Sequence, residues 1–332
     1  MGSAMMPDVL HGDPPPRQAS FGHGALWLLA YVILAAAIYV SGVKPIGISA
    51  DLHNYELLYN ASAINDWPTI LTGGDLGYFA LAKLAAAAGW SFDLFTFVLA
   101  AGTCLLLFVV ATRLDTNRIV LVAIYGSYLF WLHEYTQIRI AAAIAIGLFA
   151  IYAARPAIRW PLFVVAVLLH NSFILAVVPY ALLKARRIDV VAALAVGVLA
   201  LFLSPLGAGL VQRVVSYQDL ASSTGQFTDI NLFSLMPLVQ LCGIGCAILH
   251  FKELSDLGKE ETVLAAIGAV SFYLLSPIPV LAFRTFELFM PFFVILLSRL
   301  WGVSVVIRGI ILVWMMLGLR SAFFTADSTV IM

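Results

Sequence analysis

The sequence predicts an all-α, polytopic integral membrane helical bundle, and three observations carry that prediction. The composition is 62% hydrophobic and only 11% charged, whereas a soluble domain holds about 25% charged residues. Apolar runs recur almost from end to end, at residues 25–43, 94–112, 119–134, 139–154, 160–183, 189–204, 232–251, 262–283, 285–300 and 303–319, each near the length that crosses about 30 Å of hydrocarbon. No polar stretch between them is long enough for a separate globular unit. Helix is the structure that fits, because an open strand in lipid leaves backbone groups unpaired.

The expected organisation is a disordered tail over 1–24, a single transmembrane domain over 25–320 and a C-terminal tail over 321–332. The first tail carries Pro14, Pro15 and Pro16 in a row and few apolar residues, so it has no core to build. Met6 stands where an N-myristoylation signal needs Ser or Thr. The run 25–43 is too long for the apolar region of a cleaved signal and reads as an uncleaved anchor.

Orientation follows from basic residues, which short cytoplasmic loops collect. The clusters are Arg113/Arg118, Arg155/Arg159, Lys184/Arg186/Arg187, Lys252/Lys259 and Arg299/Arg308. Placing all of them on one side has two consequences. The stretch 77–90, interrupted by Lys83, becomes an interfacial or re-entrant helix. Residues 160–183 become two half-helices that enter and leave on the same side, with His170-Asn171 at the turn. The competing arrangement is one tilted helix with Lys184 on the far side.

The formal net charge is zero, 18 basic against 18 acidic residues, so the basic patch of a nucleic-acid-binding protein is missing. Cys104, Cys242 and Cys246 lie in apolar runs and lack the further ligands of a closed zinc site, which leaves them as small packing residues. No carboxylate cluster suggests a divalent metal, and no cofactor motif stands out.

Function is signalled by basic residues where a bilayer tolerates them least: Arg139, His170 and Arg284. A charge at the centre of a spanning helix costs about 2.5–3.5 kcal/mol on insertion scales, so such residues face a protein interior or a polar cavity. Asp51, Tyr55 and Tyr59 share one helix face at i, i+4 spacing, an acidic aromatic surface suited to a sugar; the plainer reading is an interfacial helix with its rings at headgroup level. Gln137 and Arg139 open a helix that continues Ile140-Ala141-Ala142-Ala143 and offer several donors to a phosphate, or else Arg139 snorkels. His133 and Glu134 read as ordinary loop residues. His170, Asn171 and Ser172 are costly amid apolar neighbours unless freed backbone groups at a helix break satisfy them. Arg284 and Glu287, at i, i+3 after Pro277 and Pro279, either pair with each other or divide into an anion binder and its orienting acid.

Taken in order, Asp51-x-x-x-Tyr55-x-x-x-Tyr59, the following acid Asp75 with Gly77-Tyr78, Arg139-x-x-x-Ala143, His170-x-Ser172 and the late Arg284 resemble the EpsG-type branch of bacterial polysaccharide polymerases, relatives of the Wzy O-antigen polymerases. The resemblance covers about residues 25–300. The sequence departs from the family pattern at Asp75, where Glu is more typical, and at Ile138, which separates Gln137 from Arg139.

The resemblance implies a multi-pass protein of the bacterial inner membrane with a GT-C-like bundle and an active site facing the periplasm. Such an enzyme joins polyprenyl-diphosphate-linked oligosaccharide repeats and works beside membrane lipids, a flippase and a chain-length regulator. The implied site has Asp51, His170, Arg139 and Arg284 as catalytic residues, with Tyr55, Tyr59, Asp75, Tyr78, Gln137, Asn171 and Glu287 binding substrate. Guanidinium forks suit the leaving diphosphate; Asp51 or His170 suits the acceptor hydroxyl, where a general base contributes about 10²–10⁴-fold. A membrane O-acyltransferase using His170-Asn171 is one rival reading. A lipid-linked glycan transporter is another, although the two halves show no matched helix interruptions. An intramembrane serine protease is disfavoured, since no Gly-x-Ser-x-Gly motif is present.

Overall fold

The computed structural model describes residues 21–44, 50–71, 74–185 and 230–324. The apolar run 189–204, the expected loop after it up to residue 229, Arg186, Arg187 and most of both tails lie outside the described residues. The described residues are helical and contain no strand. In chain order the helices are α1 (Phe21–Gly42), α2 (Ala50–Ile64), α3 (Trp67–Leu71), α4 (Leu76–Ala87), α5 (Phe92–Arg113), α6 (Arg118–Ser127), α7 (Ile138–Tyr152), α8 (Pro156–Leu169), α9 (Ile174–Lys184), α10 (Leu235–Leu249), α11 (Asp256–Leu274), α12 (Pro279–Leu300) and α13 (Val305–Phe324). A π-helical segment, Phe130–Thr136, precedes α7, and a single 3-10 turn, Asn171–Phe173, precedes α9.

Local sequence explains the boundaries. Ser91 caps α5 through Leu94 N–H, Asn117 caps α6 through Val120 N–H, and Ser255 caps α11 through Gly258 N–H, each satisfying a donor that the first turn leaves unpaired. Pro156 and Pro279 occupy the first helical positions of α8 and α12, where the missing N–H costs nothing.

Of the described helices, α5 and α12 are long and apolar enough to cross a membrane straight. A third crossing results if the π-helical segment and α7, bent by 116° at their junction, count as one span. The other apolar runs form shorter helices, among them α4, α6, α8, α9 and α10. Two expected boundaries move. The run 119–134 is not one segment, because the helix stops at Ser127 and resumes as the π-helical turn. The apolar runs divide at Arg284, but the helix breaks earlier, where the two prolines Pro277 and Pro279 lead one to expect it: α11 ends at Leu274 and α12 begins at Pro279, so Arg284 lies within α12.

The core is organised around α12, which is buried from Thr285 to Ser298 and apolar on all sides, the pattern of a helix surrounded by others. It packs most closely on α11, with Phe286 against Phe272 and Phe293 against Trp314 of α13. A second cluster, Tyr55, Tyr59, Tyr78, Phe92, Phe95 and Ile138, fills the space between α2, α4, α5 and the start of α7.

The chain reverses direction at His170. The Phe163 and Tyr180 rings pack with centroids 5.3 Å apart; in one continuous helix, positions that far apart would stand about 25 Å from each other. Both feet of this hairpin are tied to the same end of the bundle. Arg159 donates to the carbonyl of Ala150, and Lys184 pairs with Glu260 at 2.6 Å. Beside them Arg299 grips both oxygens of Glu261 at 2.9 Å while also donating to the Asp115 carbonyl. Arg159, Lys184 and Arg299, one member of each of three basic clusters, therefore gather at one end of these helices, and the hairpin tip points to the other.

Candidate functional site

Five elements deliver the site. At the hairpin tip His170 takes an extended conformation (φ −151°, ψ 104°) and its N–H closes α8 on the Ala166 carbonyl. The next N–H, that of Asn171, opens the second half-helix and has no partner within it. Asp75 supplies one from the loop before α4: its Oδ1 accepts from Asn171 N–H at 3.0 Å, a carboxylate at the positive end of a helical turn. The Asn171 side-chain amide donates to the Gly74 carbonyl and locks the same loop.

The other oxygen of Asp75 accepts from Arg139 Nη1 at 2.6 Å, and His170 Nδ1 stands 3.5 Å from it, beyond ordinary hydrogen-bond length. Arg139 is sandwiched by aromatic faces, 5.0 Å from the Tyr55 ring centroid and 5.5 Å from that of Tyr78, an arrangement that fixes a guanidinium plane. Ala141, Ala142 and Ala143 behind it are buried and let α7 approach its neighbours closely.

Gly77 brings α4 to the tip. A Cβ there would lie 2.9 Å from the Leu168 carbonyl carbon and 3.0 Å from Leu169 N, so only glycine admits this backbone-to-backbone contact.

Beside this group is a second one. Arg284 donates to Gln137 Oε1 at 3.0 Å and pairs with Glu287 Oε2 at 3.3 Å. The charges of Arg284 and Arg139 both reach His170, and that of Asp51 reaches Tyr55 and Glu287. Asp51, half-buried on α2, makes none of the site's ion pairs. In chemical terms the site presents two guanidinium groups, each held by an acid, beside an imidazole neither of whose nitrogens has a hydrogen-bond partner among the described residues. Burial pushes the Asp75 carboxyl up, but His170, Arg139 and the Asn171 N–H more than offset this and hold it at about 2.

The structure thus brings together Asp75, Arg139, His170, Asn171, Tyr55 and Tyr78, with Gln137, Arg284 and Glu287 adjoining. The open aromatic face expected on α2 does not form. Tyr55 and Tyr59 are each only 5% exposed because their stripe packs inward on α4 and α5. Tyr59 donates to the Trp90 carbonyl at 2.6 Å, away from the charges.

His133 and Glu134 are not loop residues either: they are 0% and 2% exposed, inside the π-helical segment. Glu134 accepts from Tyr125 at 2.8 Å, and Lys44 donates to the carbonyls of Glu134 and Tyr135 at 3.1 and 2.8 Å. Lys44 had no signal beyond a lone cation at the end of an apolar run. Among the described residues no group of His, Cys, Asp and Glu side chains has the arrangement of a metal site.

An apolar helical bundle around a recessed cluster of arginine, histidine and carboxylate is the build of a membrane protein with a polar interior site. The family model describing the EpsG family matches residues 25–331, and the chain belongs to that family, which points to a role in polysaccharide biosynthesis. No curated protein and no solved structure matches the chain.

Proposed function

We propose that this protein is an inner-membrane polysaccharide polymerase that joins polyprenyl-diphosphate-linked oligosaccharide repeats on the periplasmic face. The observation that carries the reading is the pair of guanidinium groups, Arg139 and Arg284, bracketing His170 at the end of the bundle opposite the basic loops. Two forks of fixed orientation match the oxygens of a diphosphate better than point charges would.

In the reaction the acceptor hydroxyl oxygen forms a bond to the anomeric carbon of the donor sugar. The bond from that carbon to the diphosphate oxygen breaks, and the diphosphate leaves with the electron pair. Arg139 and Arg284 stabilise the growing negative charge, which preorganised donors do most effectively in a water-poor site. The hydroxyl proton goes to His170 Nε2 or to the Asp51 carboxylate. Asp75 and Asn171 hold the loop and the tip in register. Because the Asn171 amide is committed to Gly74, it is turned away from the role an acyltransferase would require of it.

Full-length protein in lipid vesicles, given a lipid-linked repeat unit, tests the reading. The wild type is expected to yield a ladder of chains, and Arg284→Ala to leave single lipid-linked repeats. An Arg284→Ala protein that is folded, at normal level and still makes long chains removes the arginine from the mechanism.

A further inference from the structure

Buried side-chain atoms that lack a hydrogen-bond partner among the described residues are not spread evenly through the bundle. Six of the ten belong to His133, Arg139, His170 and Ser172, which the π-helical segment, the start of α7 and the hairpin tip carry. Buried polar groups are paired in the great majority of cases, so their concentration at one place marks where a polar ligand is met. The proposed reaction uses Arg139 and His170 and leaves His133 idle.

His133 is fully buried and sits in the π-helical segment, a local form found frequently at functional sites. Its carbonyl accepts from Gln137 N–H at 2.9 Å, and the Gln137 side chain accepts in turn from Arg284 at 3.0 Å. Lys44 pins the same turn through the carbonyls of Glu134 and Tyr135. The two acid–base neighbours divide: the Glu134 side chain accepts from Tyr125, whereas the His133 ring lies within reach of the charges of Arg284 and His170. Neither of those is an acid that would pair with it, and both of its ring nitrogens are without a partner among the described residues.

A neutral imidazole offers one N–H and one lone pair, on two different nitrogens. A phosphate oxygen can serve only the first of these. Hydroxyl groups can serve both, since each donates and accepts. We infer that His133 is a further substrate-contacting residue of this site, binding hydroxyl groups of the sugar that is carried next to the diphosphate. That the ligand bears a sugar beside a diphosphate rests on the proposed polymerase reading. In this arrangement Arg139 and Arg284 hold the charged part of the donor and His133 reads the neutral part, so its role is recognition and not proton transfer.

Phenylalanine tests the assignment, because it takes the place of the ring with no polar atom to satisfy, and leucine guards against a clash. Binding is read as the ligand-induced rise in melting temperature of the full-length protein in phospholipid nanodiscs. Two probes are used: the lipid-linked repeat unit purified from cells lacking this protein, and polyprenyl diphosphate without a sugar. His133→Phe or His133→Leu is expected to melt no lower than the wild type, since two orphaned nitrogens are gone. Its affinity for the repeat unit should fall about tenfold to a hundredfold, the scale of a buried hydrogen bond left unmade, while its affinity for polyprenyl diphosphate stays unchanged. His133→Asn or His133→Gln, whose amides keep a donor and an acceptor, should recover part of the loss.

Equal losses for the two probes would move His133 to the phosphates, and folded Phe and Leu variants that bind the repeat unit like the wild type would remove it from the site; either result overturns the inference. A fall in melting temperature that only Asn or Gln restores would overturn it too, as the mark of a structural imidazole. Binding is read without polymerisation, so the two readings fail separately. Loss of repeat-unit binding by the variants of a protein that makes no chains would sustain His133 and sink the polymerase reading, whereas chains made by His133→Phe at the wild-type KM would do the reverse.

Discussion

Asp75 and Arg139 stand 2.6 Å apart with their side chains 7% and 22% exposed, and the same carboxylate caps the hairpin turn through Asn171. One acid thus sets both the direction of a candidate anion-binding arginine and the position of the candidate base. Removing it should disturb the two together. Asp75→Asn is expected to abolish chain formation, and an Asp75/Arg139 double-mutant cycle should show coupling of about 0.5–3 kcal/mol in thermal unfolding. Additive effects would mean that the pair is incidental.

The same carboxyl predicts an acid response. Held at about 2 in the folded protein against about 3.9 in an unfolded chain, Asp75 contributes stability that is complete above the unfolded value. That contribution, about 2 kcal/mol, fades as pH falls through the interval and is lost below the folded value. Wild type and Asp75→Asn melting temperatures should therefore differ by a constant amount at pH 5–8 and converge toward pH 2. A difference that grows on acidification would contradict the assignment.

Gly77→Ala places a methyl group against the backbone at Leu168 and Leu169, which cannot yield as a side chain tip can. The expected cost is about 1–3 kcal/mol, with a larger relative loss of activity, because Asp75 moves with α4. Thermal unfolding beside chain length separates the two effects. Gly126→Ala, facing open space within α6, is the control that should melt no lower than the wild type.

The tie at the basic end makes a purely structural prediction. Arg299 and Glu261 are 11% and 1% exposed in their side chains and share two hydrogen bonds, with Tyr152 on the same acid. Arg299→Ala should cost about 3–5 kcal/mol by stranding a buried acid, seen as low yield in the membrane. Replacing both partners, Arg299→Met with Glu261→Leu, should recover much of the loss.

Much of this architecture was legible in the chain. The hairpin followed from asking where Lys184 and Arg159 must lie, and the constraint held because both side chains find partners at the same end. His170, Arg139 and Arg284 stood out because a charge among apolar residues has few tolerable surroundings. What escaped notice shares one physical cause, a partner supplied by a distant element. Lys44 matters through the Glu134 and Tyr135 carbonyls, which only the π-helical turn presents. The Tyr55 and Tyr59 stripe has the same spacing whether it faces a sugar or an aromatic cluster, and only the packing of α4 decides. The break before Arg284 was legible in Pro277 and Pro279, whereas the apolar runs divide at the arginine itself, which lies inside α12.

The orientation itself is testable with single cysteines in a background lacking the three native ones. Positions 159 and 184 should react from one side of the membrane and position 51 from the other, using an impermeant maleimide on intact and on opened cells. Reaction of 159 and 184 from opposite sides would replace the hairpin by a tilted span, an outcome hard to reconcile with the Phe163–Tyr180 contact.

The last prediction separates proton transfer from packing at His170. Its Nδ1 stands 3.5 Å from the Asp75 carboxylate, and Nε2 is the nitrogen proposed to take the proton. Glutamine reaches a similar distance and can hydrogen-bond, yet it does not titrate near neutral pH. His170→Gln should therefore fold, bind the lipid-linked donor and lose turnover by about 10²–10⁴-fold, the contribution of a general base. The residual rate should no longer rise with pH through the imidazole range. Should His170→Gln keep near-normal rate and chain length, the proton must go elsewhere, and Asp51 is the remaining carboxylate in reach of Glu287 and Tyr55. Asp51→Asn would then be the inactive, folded variant, whereas activity in both variants would exclude a base at either position.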